Sequence, residues 1–210
     1  MIRFLRNWIA VLILVFPVWA AAETPHQVVQ RVTDDLLHEL NTNKEQYKRN
    51  PQAFYEALDR VFGPNVDVDG IARSVMTVKY TRRASEQQMD RFEQAFKDSL
   101  MRFYGNALLE YTEQGIRLLP AGRQREADRA TVNMEVIGVS GNIYPVSYTM
   151  VTLEGRWALR NVIVNGINVG KLFRDQFAAA MQDYNDDLDK VIEHWGEYVA
   201  RTKSITQTSQ

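Results

Sequence analysis

The apolar residues of this chain change period once, near Gly115, and that change limits what it can fold into. Before it they recur every three or four residues, the spacing of a helix face. After it they alternate by two, the spacing of a strand. Helices, then a block of strands, then helices again is an α+β order, distinct from the βαβ alternation of a parallel sheet.

The helical half divides at its own stop signals. Thr24-Pro25 is an N-cap with proline in the first turn, and Val28, Val29, Val32, Leu36, Leu37 and Leu40 mark one face of a helix running to about Asn43. Asn50-Pro51 opens a second helix, closed by Gly63-Pro64, and a third follows Asp67. Ser85 with Gln88 forms a capping-box pattern before the longest helix, about Glu86 to Leu109. Four strands are expected next: Ile116 to Leu119, a second around Ala130 to Val136, Ile143 to Leu153, and Arg156 to Val164. Their short links favour an antiparallel meander. Asn165-Gly166 turns the chain into a helix capped by Asn168, and a last helix runs from about Asn185 to Arg201.

The first residues stand outside this plan. Arg3 and Arg6 precede an apolar run from Trp8 to Trp19, and Ala20-Ala21-Ala22 supplies the small residues of a cleavage site. The run falls short of the ~20 apolar residues that span a bilayer. Residues 1–22 therefore read as a cleaved secretory signal, 23–201 as one domain, and 202–210 as a flexible polar tail. There are no cysteines, which excludes a lipidated cysteine, disulfides and thiolate metal sites. Losing Arg3 and Arg6 from the 25 basic residues leaves 23 against 26 acidic ones, a net of −3. That balance does not suit nucleic acid.

The search for catalytic groups finds none, and no metal or cofactor is expected. His26, His38 and His194 are far apart, without a second histidine at helical ligand spacing. Asp183, Asn185, Asp187 and Asp189 resemble a calcium loop, but Leu188 stands where the turn needs glycine and His194 where it needs glutamate. Gly138-Val-Ser140-Gly141-Asn142 lacks the last glycine of a nucleophile elbow. What remains is an aromatic surplus, including Tyr104, Tyr111, Tyr144 and Trp157, in the sheet block and the helices that could cover it. It is compatible with a filled core or with an apolar cavity between sheet and helices.

The stretch GRWALRNVIVNGINVGKLFRDQF, Gly155 to Phe177, together with the Ser85-Glu86-Gln87-Gln88 helix start, resembles the periplasmic MlaC family, also called the toluene-tolerance auxiliary family. The resemblance covers about Thr24 to Arg201. Asn161 replaces the aspartate usual in the pattern, and the serine often found near Ile167 or Asn168 is missing. Neither change touches apolar positions. The resemblance implies a periplasmic phospholipid carrier of the Mla pathway, which maintains outer-membrane lipid asymmetry. Its implied partners are phospholipid as cargo, an inner-membrane ABC transporter with its membrane-anchored substrate-binding subunit, and an outer-membrane lipoprotein–porin complex.

Acyl chains leaving a bilayer require replacement burial at ~0.8 kcal/mol per CH₂. The expected fold is thus a four-stranded, mainly antiparallel curved sheet covered by helices that enclose an apolar pocket, in a monomer. Val132, Met134, Val136, Val146, Tyr148, Met150, Val162 and Val164 are expected to form its floor. Phe92, Phe96, Leu100, Phe103, Phe173 and Phe177 are expected to form its walls. Arg160, Lys171 and Arg174 are candidates for a headgroup rim, and Val164→Arg is expected to abolish lipid retention. Two other readings stay open: an isomerase- or dehydratase-type enzyme using the same cavity, and a chaperone or adaptor with an exposed apolar patch.

Overall fold

Gln27 N donates to Thr24 Oγ1 at 3.2 Å and Thr24 N to Gln27 Oε1 at 2.8 Å, a reciprocal cap that starts the first helix. The computed structural model describes residues 22–110, 115–138 and 140–208, so the proposed signal segment falls almost wholly outside the described residues. Among these, the helices are α1 (Pro25–Arg49), α2 (Pro51–Phe62), α3 (Val68–Thr81), α4 (Glu86–Glu110), α5 (Val169–Asp183) and α6 (Leu188–Thr208). A 3₁₀ turn at Gly63–Asn65 links α2 to α3. Helix α1 runs past the expected Asn43 because the buried Tyr47 extends its apolar face and no breaker precedes Pro51. Helix α6 continues to Thr208, beyond the Arg201 at which the sequence places the end of the domain.

The strands are β1 (Ile116–Leu118), β2 (Arg129–Ile137), β3 (Ile143–Leu153), β4 (Arg156–Val164) and β5 (Ile167–Asn168), paired antiparallel in that order. Among the described residues five strands replace the expected four. Asn165 (φ 49) and Gly166 (φ 81) both take left-handed backbone, the geometry of a two-residue hairpin turn, so the chain pairs with β4 once more before entering α5. The hinge is tight. Gly170 N donates to Asn161 Oδ1 at 3.1 Å, and a Cβ on Gly170 would sit 2.5 Å from that oxygen.

Register places Val132 opposite Tyr148 and Met134 opposite Val146, so the expected floor residues share one face. A bulge interrupts β4. Thr149 pairs with Asn161 and Met150 with Leu159, which leaves Arg160 without a partner in the ladder. Because of that extra residue, Leu159 joins Val162 in the apolar layer of the sheet. Arg160 Nε and Nη2 reach Asp67, a buried carboxylate that also caps α3 by accepting from Gly70 N at 3.0 Å.

Buried side chains form three clusters. The first is aromatic and helical, built by α3, α4, α5 and α6 around Trp195. The second lines the sheet face under Val28 and Val29 of α1. The third joins Leu40 and Tyr47 to Phe54, Leu58 and Leu109. Outside them, Glu93 on α4 lies near Asp69 and Arg73 of α3. Burial, then hydrogen bonding and repulsion from Asp69, then Asp90, push its carboxyl up to about 7. The folded state therefore holds a proton that the unfolded chain releases near 4.5. Glu93 contributes stability that is complete below pH 4.5 and lost as pH rises to about 7. Glu93→Gln is expected to flatten that decline and to melt higher than the parent at pH 8, as thermal unfolding across pH would show.

Candidate functional site: an apolar cavity in two lobes

Beside these clusters lie two apolar pockets that share part of their walls, the two lobes of one candidate site. The first, about 210 Å³, lies between α1 and the sheet and is lined by residues such as Val32, Leu36, Leu37, Met134, Tyr148 and Met150. The second, about 250 Å³, lies between α4, α5 and β4, against Leu100, Met101, Val162, Val169 and Phe173. Phe62, Val66, Leu108 and Leu159 line both. The first lobe has only Thr33, Asn65 and the Tyr148 hydroxyl as polar side chains in its lining. Burial raises the Tyr148 phenol above its ordinary range, which keeps it neutral. The second lobe has Asp59, Lys97, Arg160 and Asn161. Asp59 and Lys97 pair at 2.9 Å.

The structure divides the sequence-derived candidates. Met134, Val136, Tyr148 and Met150 line the first lobe; Phe96, Leu100, Val162 and Phe173 line the second. Phe92 and Phe177 do not reach either. They stack edge-on at 5.2 Å and both pack on Trp195, because α4 and α5 turn one half of their length to the cavity and the other to the helical core. Val132 and Val146 lie on the predicted face but are buried in the packed layer. Val164 is 37% exposed at the end of β4. The Phe103 side chain lies outside the described residues.

The rim candidates all have partners, and of the three only Arg160 lines a lobe. Arg160 is held by Asp67, Lys171 pairs with Asp175 at 2.6 Å, and Arg174 Nε donates to the Ser74 carbonyl at 3.0 Å. Sequence reasoning assigned no wall to α1, nor to Phe62, Val66, Leu108 or Leu159. The periodicity of α1 shows that Val28 to Leu40 are covered, but not that a cavity is among the things covering them.

The enzyme reading requires an inward carboxylate–histidine or tyrosine–aspartate pair. Glu135 is on the far side of the sheet layer from Met134 and bonds Arg117 Nε at 2.9 Å; Glu154 sits exposed in a turn. The cavity lining contains no histidine. Among the described residues no group of three or more His, Cys, Asp or Glu could hold a metal ion, and no helix is long and apolar enough to cross a membrane.

A curved antiparallel sheet closed by helices over an apolar cavity defines an α+β protein of the cavity-forming class. Residues 30–197 match the MlaC protein family, and the chain belongs to it. It is 56% identical over 210 residues to the toluene tolerance protein Ttg2D of Pseudomonas putida, covering 100% of this chain and 97% of that one. It is 21% identical over 175 residues to the intermembrane phospholipid transport system binding protein MlaC of Haemophilus influenzae, covering 79% and 81%. Its fold is shared with the phospholipid-binding protein of Ralstonia solanacearum, solved in complex with a phospholipid. The TM-score is 0.77 at 18% identity, over 85% of this chain and 98% of that one.

Proposed function

We propose that this protein is a periplasmic carrier that moves glycerophospholipid between the outer and inner membranes in the Mla pathway, with the acyl chains in the two-lobed cavity. The observation that carries this reading is the pairing of that cavity with membership of the MlaC family. The relatives named for phospholipid transport and phospholipid binding support the cargo. An acyl chain needs continuous apolar burial at ~0.8 kcal/mol per CH₂ and no hydrogen bonds, and the first lobe is built of little else.

On this reading the protein works without a cofactor, and its cargo is the only small molecule it holds. It is exported through residues 1–22, acts as a monomer over residues 23–201, and performs no chemistry on the lipid. It collects and delivers at an outer-membrane lipoprotein–porin complex and an inner-membrane ABC transporter with its anchored substrate-binding subunit. On this reading the acyl chains lie against Met134, Val136, Tyr148, Met150, Phe96, Leu100, Val162 and Phe173, together with α1, Phe62, Val66, Leu108 and Leu159.

Native mass spectrometry of protein purified from cells without detergent tests the reading. The expected result is phospholipid bound in whole-number stoichiometry. Protein that is empty as purified, and still empty after incubation with phospholipid vesicles, would overturn it.

A further inference from the structure

A third cavity adjoins the first lobe and is of opposite character. It is a polar cleft of about 520 Å³ between α1, the end of α2 and the β3–β4 turn. It shares Val28 and Asn65 with the apolar lobe, so the charged and the aliphatic linings meet at these two residues. Arg31, Arg60 and Arg156 line it, with Glu23, Asp35 and Glu39 as the carboxylates.

These charges are unequally committed. Arg31 is held by Glu23 at 2.9 Å and also donates to Asn65 Oδ1 at 3.1 Å. Glu39 accepts from the Tyr47 hydroxyl and from Asn43 Nδ2 at 2.9 Å, which keeps it below the usual carboxylate range. Arg60 adds only a longer-range pull on Glu39. Arg60 and Arg156 form no ion pair or side-chain hydrogen bond among the described residues. Arg156 directly follows the Glu154-Gly155 hairpin turn, both of whose residues have positive φ (49 and 77), a conformation that fixes where the next residue leaves the turn. The cations first expected at a rim, by contrast, all have partners.

We infer that this cleft seats the phosphate of the cargo on Arg60 and Arg156, with the acyl chains passing by Val28 into the first lobe. The inference rests on the phospholipid reading above. A guanidinium is planar, always charged and matched to phosphate oxygens, and two of them that make no ion pair among the described residues line one cleft, where both can donate to a phosphodiester anion. The neighbouring Trp157 supplies an apolar edge where the glycerol backbone would lie.

The test offers delipidated protein vesicles containing equal amounts of phosphatidylglycerol and of diacylglycerol with the same acyl chains, and reads bound lipid by native mass spectrometry. Charge-assisted bonds predict that the parent protein takes phosphatidylglycerol over diacylglycerol by about tenfold or more. Arg60→Gln with Arg156→Gln should bring that ratio close to one, with the loss falling on phosphatidylglycerol while diacylglycerol uptake stays at the parent's level. Arg60→Lys with Arg156→Lys should keep most of the preference. A double glutamine variant with the parent's ratio, or a parent with no preference, would overturn the headgroup seat and leave the carrier reading standing. Failure of the parent to take up either lipid would remove the carrier reading and this inference with it. A parallel titration with inorganic phosphate, followed by tryptophan fluorescence, separates the sources. Binding lost in the glutamine variant without any change in lipid ratio would mark a free-phosphate site and overturn the assignment to lipid.

Discussion

Phe92→Ala is expected to destabilise the protein by about 3–5 kcal/mol, the range for deleting a buried phenyl group. Phe92 is fully buried, 5.2 Å from the Phe177 ring and 5.4 Å from Trp195, and touches neither lobe of the cavity. Against a total stability of about 5–15 kcal/mol the loss is large. For a domain of this size it corresponds to a fall in melting temperature on the order of 10 °C. The distinguishing consequence concerns lipid. Molecules of Phe92→Ala that remain folded at low temperature should bind lipid like the parent, because the void opens inside the helical core. Chemical denaturation gives the first quantity, and lipid stoichiometry of the folded fraction gives the second. A stable variant that loses lipid would return Phe92 to the cavity wall, where the sequence first placed it.

That misplacement shows where sequence reading stops. Along α4 the residues Phe92, Phe96 and Leu100 follow one apolar stripe, and nothing in their spacing says that the stripe changes partner along its length. In the structure Phe92 meets α5 and α6, Phe96 belongs to both environments, and Leu100 faces the second lobe. Helix α5 divides in the same way between Phe173 and Phe177. Periodicity reports which face is covered; it carries no information about whether the cover is packed or leaves a gap. The sheet was more legible because alternation by two has only two outcomes. Val132, Met134, Val146, Tyr148 and Met150 were assigned to one face, and the register agrees.

The exception in the sheet is β4. Simple alternation groups Arg160 with Val162 and leaves Leu159 on the other side. The bulge at Arg160 cancels that rule, and its cause lies far away in sequence: Asp67, on the chain entering α3, holds the Arg160 guanidinium, and Asp67 N donates to the Leu159 carbonyl at 2.9 Å. Gly70 leaves the room for this, since a Cβ there would collide with both partners. Arg160, a rim candidate by sequence, is thus tied to Asp67 while it lines the second lobe. Breaking such a pair by removing one partner typically costs about 3–5 kcal/mol when the other charge stays buried. Arg160 keeps partial access to solvent, so the lower end applies.

Leu159 is consequently the position at which the carrier reading is most exposed to test. It lines both lobes, whereas Val164, the position favoured by sequence, stands at the open end of β4. Leu159→Trp is expected to block the junction. An indole in place of the isobutyl group takes the room of about two methylenes; at ~0.8 kcal/mol each, their exclusion costs bound lipid ~1.6 kcal/mol, about fifteenfold in affinity. Overpacking elsewhere in a core costs ~1–3 kcal/mol, but here the added atoms enter existing space. The empty protein should therefore melt within a few degrees of the parent. Val164→Arg should load lipid as the parent does, because its side chain can extend into water from an edge already exposed. Native mass spectrometry of both variants after incubation with phospholipid vesicles, with thermal unfolding alongside, measures the contrast. Full loading of Leu159→Trp would mean that the acyl chains do not pass the junction of the two lobes. Loss of lipid from Val164→Arg alone would move the binding surface to the end of the sheet.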